Sequence, residues 1–125
     1  MKLFGTIEKD AIIAEDDYFM VVFDKYPVSP GHSLIIIKRP KARFLELTQE
    51  EQVTLVKWID WTVRYLENNL NPEPDGFNLG INDGEAAGQT VGQFHFHVIP
   101  RYNGDTKDPR GGVRWVIPHK AEYWD

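Results

Sequence analysis

The run Gly88-Gln89-Thr90-Val91-Gly92-Gln93-Phe94-His95-Phe96-His97-Val98-Ile99-Pro100 carries two of the chain's four histidines, two residues apart, among alternating aromatic side chains. Successive side chains of a strand point to opposite faces, so Gln93, His95 and His97 share one face while Phe94, Phe96 and Val98 line the other. A row of amide and imidazole groups is then supported by apolar packing from behind, which fixes a neutral nitrogen nucleophile on a rigid element. Just ahead, the turns Asn82-Asp83-Gly84 and Gly88-Gln89-Thr90 offer uncharged side-chain donors, with glycines that let backbone N–H groups approach an anion. Imidazole beside such donors points to phosphoryl or nucleotidyl transfer, with histidine as the attacking group. A metal reading stays open at this point. His-X-His is also a ligand pair, and His32, His119 or an acid would have to complete it.

The elements that must hold these residues can be read in order. Tyr18–Asp24 reads as a strand that leaves Asp24 at a loop edge, with a shorter strand at Ala11–Ala14 as its partner. Pro27-Val28-Ser29-Pro30-Gly31 is a turn, and His32–Lys38 follows as a central strand because its apolar run is nearly continuous. Thr48 followed by Glu51 matches a capping box, and Leu55, Ile59, Val63, Leu66 and Leu70 then recur at helical spacing. Asn71–Gly76 stops that helix, and Phe77–Asn82 is a strand joined to the histidine strand by a short connection, which favours antiparallel pairing. Strands, one long helix and more strands predict an α+β fold. The tail from Arg101 to Asp125 has no period and holds its own aromatics, as expected of a segment packed over a sheet edge or a partner subunit.

Composition narrows the field. A chain of 125 residues with 42% hydrophobic and 26% charged residues suits one soluble domain. No repeat or linker divides it. No apolar run approaches a membrane span, and the start reaches Glu8 before a signal-peptide core could form. The chain has no cysteine. That excludes disulfides and thiolate zinc sites, and it fits a cytoplasmic setting. A formal charge of −5 argues against nucleic-acid binding, which needs a basic surface.

Residues 88–100 resemble the signature of the histidine triad (HIT) family, His-φ-His-φ-His-φ-φ preceded by Gly-Gln-Ser/Thr-Val, with Gln93 standing in the first histidine position. Asp24 to Ile36 is similar to the family's Asp…Pro-x-x-Pro-Gly-His-x-Leu segment, and Phe44–Thr48 with its helix follows in order. The likeness spans about residues 8–102, and Gly104–Arg114 is similar to a bacterial branch. It implies a HIT-like fold: a five-stranded antiparallel sheet with one long and one short helix, in a single domain of residues 1–125 whose tail is 103–125. It implies His95 as the nucleophile forming a nucleotidyl-histidine, and His97 orienting phosphate beside it. Asn82, Gln89 and Thr90 would contact phosphate oxygens, Asp24 would receive ribose hydroxyls, and His32 would support the pair from behind. Gln93 cannot donate a proton at neutral pH, so dinucleoside polyphosphates are expected to be cleaved in preference to phosphoramidates. Arg101, Arg110 and Arg114 are candidates for the distal phosphates, with solvated surface charge as the alternative reading. No metal is expected on the protein, although Mg²⁺ can accompany the substrate. A homodimer is implied. The alternatives are a nucleotidyltransferase or phosphorylase, and a nucleotide binder without turnover.

Overall fold

The structure is a computed structural model that describes all residues 1–125. Five strands build one sheet: β1 (Ile12–Glu15), β2 (Phe19–Phe23), β3 (Ser33–Ile37), β4 (Gly76–Gly80) and β5 (His95–Arg101). Their order across the sheet is β1-β2-β3-β5-β4, and every neighbouring pair is antiparallel. β3 is the middle strand, and all five of its residues are buried, as the continuous apolar run Leu34–Ile37 predicts for a strand covered on both faces. The architecture is the α+β, five-stranded antiparallel arrangement read from the sequence, with one long helix, α1 (Gln49–Asn69), and one short helix, α2 (Pro118–Ala121).

Helix α1 starts where its sequence says it should. Thr48 Oγ1 accepts from the Glu51 N–H, and Glu51 Oε1 accepts from the Thr48 N–H, a complete capping box. The helix lays Leu55 and Leu66, fully buried, with Ile59 and Val63 partly so, onto the sheet face formed by Phe19, Val21, Ile35, Ile37, Phe94 and Val98. Phe94 and Val98 thus pack behind the histidine strand, as the alternation predicts. Glu51 is buried in the same first turn, 1% exposed, where Arg39 meets it with two hydrogen bonds of 2.7 Å. Helix α1 is amphipathic, and no helix here is long and apolar enough to cross a membrane.

The tail folds back on the β4–β5 end of the sheet. Arg101 pairs with Asp105 through two 2.8 Å hydrogen bonds, the Asn103 N–H donates to Asp75, and Gly112 lies against the Asn78 side chain.

Candidate functional site

The sheet face turned away from α1 carries Met20 and Val22 from β2, Leu34 and Ile36 from β3, and His95 and His97 from β5. The register sets Leu34 opposite His97 and Ile36 opposite His95. Asp24 and His32 sit at the neighbouring ends of β2 and β3, joined by a 2.9 Å bond from the Asp24 N–H to the His32 carbonyl. The imidazoles therefore stand on the open face of a sheet whose reverse is the protein core.

Hydrogen bonds assign the protons on these rings. His95 Nδ1 lies 2.8 Å from the Gln93 carbonyl, which can only accept. Nδ1 therefore carries the proton, and Nε2 keeps its lone pair for an electrophile. The Val28 N–H donates to His32 Nδ1 over 3.0 Å, so the His32 proton is on Nε2. That Nε2 is 2.9 Å from His97 Nδ1, which must accept, leaving the His97 proton on Nε2. Two rings 5.2 Å apart thus have opposite polarity, His95 presenting a lone pair and His97 an N–H. Burial, aided by the nearby His95 and His32 rings, holds His97 down at about 4, and burial lowers His32 against the pull of Asp24. Both supporting rings are neutral at pH 7.

The remaining candidates divide into those facing the site and those holding it together. Asp24 is half-buried, with Oδ1 accepting from the Tyr26 N–H and Oδ2 3.4 Å from His32 Nε2. Asn82 and Thr90 are exposed at the head of the histidine strand, and Asn82 shares a cleft with His97. Gln89 is different. Its side chain is 5% exposed, its Oε1 accepts from the Gly84 N–H, and its Nε2 donates to the carbonyls of Ala42 and Val91. It pins the β4–β5 loop, and its amide has no group left for a phosphate oxygen. Gln93 is also occupied: Nε2 donates to the Ile37 carbonyl over 2.6 Å, and Oε1 accepts from the Phe4 N–H at 3.3 Å. In this structure the amide holds backbone, and it makes no hydrogen bond to a neighbouring imidazole. The guanidinium of Arg101 is held by Asp105 of the tail and Asn78 of β4, that of Arg110 by Asp108, and that of Arg114 by the Ala121 and Lys120 carbonyls. Arg110 and Arg114 remain exposed despite these bonds. His119 lies exposed in α2.

Sequence reasoning missed the first seven residues. The Gly92 N–H donates to the Lys2 carbonyl over 2.6 Å, and the Phe4 ring meets His95 edge-on with centroids 5.0 Å apart. Phe4, Ile7 and Ile12 cover Val22, Leu34 and Ile36 to make an apolar patch beside the histidines. A Phe-x-x-Ile spacing is the only signal of this in the sequence, and it is too short to show a period.

Asp24, His32 and His97 also place one ligand atom each within 4.8 Å of one another. A metal on His32 Nε2 would move that ring's proton to Nδ1, directly against the Val28 N–H, so two donors would face each other.

With this geometry in place, comparisons with known proteins identify the class. The HIT domain family model matches residues 6–104, and the chain belongs to that family. It is 36% identical over 94 residues to an uncharacterised HIT-like protein of Methanocaldococcus jannaschii, covering 75% of this chain and 70% of that one. It is 31% identical over 99 residues to the AP-4-A phosphorylase of Mycobacterium tuberculosis, covering 78% of this chain but only 50% of that one. Among solved structures, the Plasmodium falciparum diadenosine triphosphate hydrolase in complex with cyclomarin A is 29% identical with a TM-score of 0.72, covering 82% of this chain and 68% of that one.

Proposed function

We propose that this chain is a nucleotide hydrolase that cleaves dinucleoside polyphosphates at the α-phosphate through a nucleotidyl-histidine on His95. The observation that carries the reading is the 2.8 Å contact from His95 Nδ1 to the Gln93 carbonyl, because it leaves Nε2 as the attacking atom. Nε2 donates its lone pair to the α-phosphorus. The bond to the leaving phosphate oxygen breaks, and that oxygen keeps the pair. Nδ1–H stays on the ring, so the positive charge of the adduct is shared with the Gln93 carbonyl. His97 Nε2–H, Asn82 and Thr90 meet the non-bridging oxygens, with Gln89 holding the loop in place for them. Water then attacks phosphorus, the P–N pair returns to Nε2, and a nucleoside monophosphate and a proton leave. The Asp24 carboxylate receives the ribose hydroxyls, and the patch of Phe4, Ile7 and Ile12 offers the base an apolar surface.

Leaving-group chemistry supports polyphosphate over amide substrates. Gln93 cannot donate a proton, and His97, held down at about 4, is a poor acid at pH 7. An amine leaving group would have to be expelled unprotonated, whereas a phosphate leaving group ionises near neutrality. Diadenosine tetraphosphate is expected to turn over at least ~10-fold faster than an adenosine phosphoramidate. Product analysis checks this, and a preference for the amide would overturn the substrate assignment. A second reading rests on the likeness to the AP-4-A phosphorylase: orthophosphate in place of water. Nucleoside diphosphate formed only when orthophosphate is added would mark that outcome. No resident metal is part of the proposal. Protein stripped with a chelator and given Mg²⁺ alone should regain its full rate, and a requirement for zinc would count against it.

The outer edge of β4 is unpaired in the sheet, and we assign it to a second copy of the chain joined edge to edge. Sedimentation of the full chain at micromolar concentration should give twice the mass of one chain. A single-chain mass would remove the dimer from the proposal.

A further inference from the structure

Strand β5 divides the open face of the sheet into two unequal regions. On the β1–β3 side lies the apolar patch under Phe4 and Ile7, next to Asp24. Over β4 and the open-face residues of β5 lies a cleft of about 1000 Å³, which reaches His32 at the β2–β3 turn, His97 and Asn82, and which the tail lines with Val113, Trp115 and Val116. This volume is at the upper end for a small-molecule site. The tail that walls it is a built structure: Arg110 lies 4.6 Å above the Trp124 ring and Arg114 4.7 Å above Tyr123, and the Trp115 N–H donates to the Arg110 carbonyl over 2.8 Å. That bond fixes the indole while leaving it 40% exposed.

The wall chemistry narrows what the cleft can hold. Arg101, on its floor, is neutralised by Asp105, and Asp108 is paired with Arg110. Lys107 and Glu122 are the two lining charges outside these ion pairs, one of each sign. A region without net charge, faced by an exposed indole and branched aliphatic side chains, is a poor place for a run of phosphates. It is a good place for a flat heteroaromatic ring, because base–aromatic stacking needs no charge.

We propose that this cleft receives the leaving half of the substrate, namely the second nucleoside of a dinucleoside polyphosphate, with its base against Trp115. The proposal rests on nucleotide chemistry at His95 and adds the region that distinguishes a two-ended from a one-ended polyphosphate.

The test is equilibrium binding to the full-length His95→Ala chain, in which turnover does not consume the ligand. The ligands are diadenosine tetraphosphate and adenosine tetraphosphate, which share the phosphate count and differ by one nucleoside. The two-ended ligand should bind about tenfold tighter, the worth of one stacked base. Adding Trp115→Ala should remove that advantage and leave the affinity for adenosine tetraphosphate unchanged, while Trp115→Phe should keep most of it. Equal affinity for the two ligands overturns the subsite, and so does an equal loss on both when Trp115 is truncated. Failure of the hydrolase reading looks different: the binding advantage persists, but wild-type chain forms neither adduct nor monophosphate. Binding of neither ligand overturns both.

Discussion

A His95→Ala chain is expected to lose at least ~1000-fold in turnover of diadenosine tetraphosphate, and to form no covalent nucleotidyl adduct. The size follows from what is removed. In the wild-type chain one difficult displacement is divided into two, and the atom that divides it is His95 Nε2, aimed by the Gln93 carbonyl. Without that atom, water must attack directly, helped only by the donors around the phosphate. His97→Ala should cost less, about 100-fold, because it removes one N–H donor and leaves the nucleophile. Nucleotide binding should survive in both variants. The measurement is intact-protein mass after rapid acid quench, alongside steady-state rates. If the His95→Ala chain kept a tenth of wild-type activity, or if wild-type adduct mapped to another residue, the covalent route would be lost.

The second large effect is on stability and lies far from the histidines. Glu51→Ala removes a buried carboxylate that caps α1 and receives both Arg39 bonds. Loss of the cap, the hydrogen bonds and the filled volume should together cost about 3 kcal/mol, a fall in Tm on the order of 10 °C. Glu51→Gln, which keeps the volume and the bond from Thr48, should recover roughly half. The pH dependence gives an independent signature. The Arg39 guanidinium, with help from Thr48, holds Glu51 at about 2 against an ordinary value of 4.5. Its folded value is depressed, so its contribution is fully present above about 4.5 and is lost as pH falls toward 2. The acid limb of wild type should therefore be steeper in that window than the acid limb of Glu51→Gln. Thermal melts of both chains between pH 2 and 6 decide it, and parallel limbs would show that the pair contributes nothing specific.

What was legible in the sequence, and what was not, depends on how far apart the partners lie along the chain. The period-2 alternation of residues 93–98, the unbroken Leu34–Ile37 run and the Thr48–Glu51 cap are local patterns, and each strand and the helix appear within a residue or two of where they are expected. The shared face of His95 and His97 follows from the same pleat. Gln89 and Gln93 read as ligand donors because an exposed amide near glycines suits that role. In the fold their amides donate to the carbonyls of Ala42 and Ile37, 47 and 56 residues away, and no spacing reveals those bonds. The arginines admitted two readings, phosphate donor or surface charge, for a related reason. A guanidinium reads as a phosphate donor until its carboxylate and carbonyl partners are known, and here these come from the tail itself or from β4. Phe4 and Ile7 went unnoticed because a seven-residue lead-in shows no period until the sheet beneath it exists.

One main-chain group far from any reacting atom governs which way the imidazoles point their hydrogens. The amide of residue 28 sits in an exposed turn, and its valine side chain faces solvent. Nineteen of the twenty residue types would supply the same amide there. Proline alone would not, and its arrival would let both rings behind the nucleophile reverse their orientation, silencing the site without touching a single side chain in it.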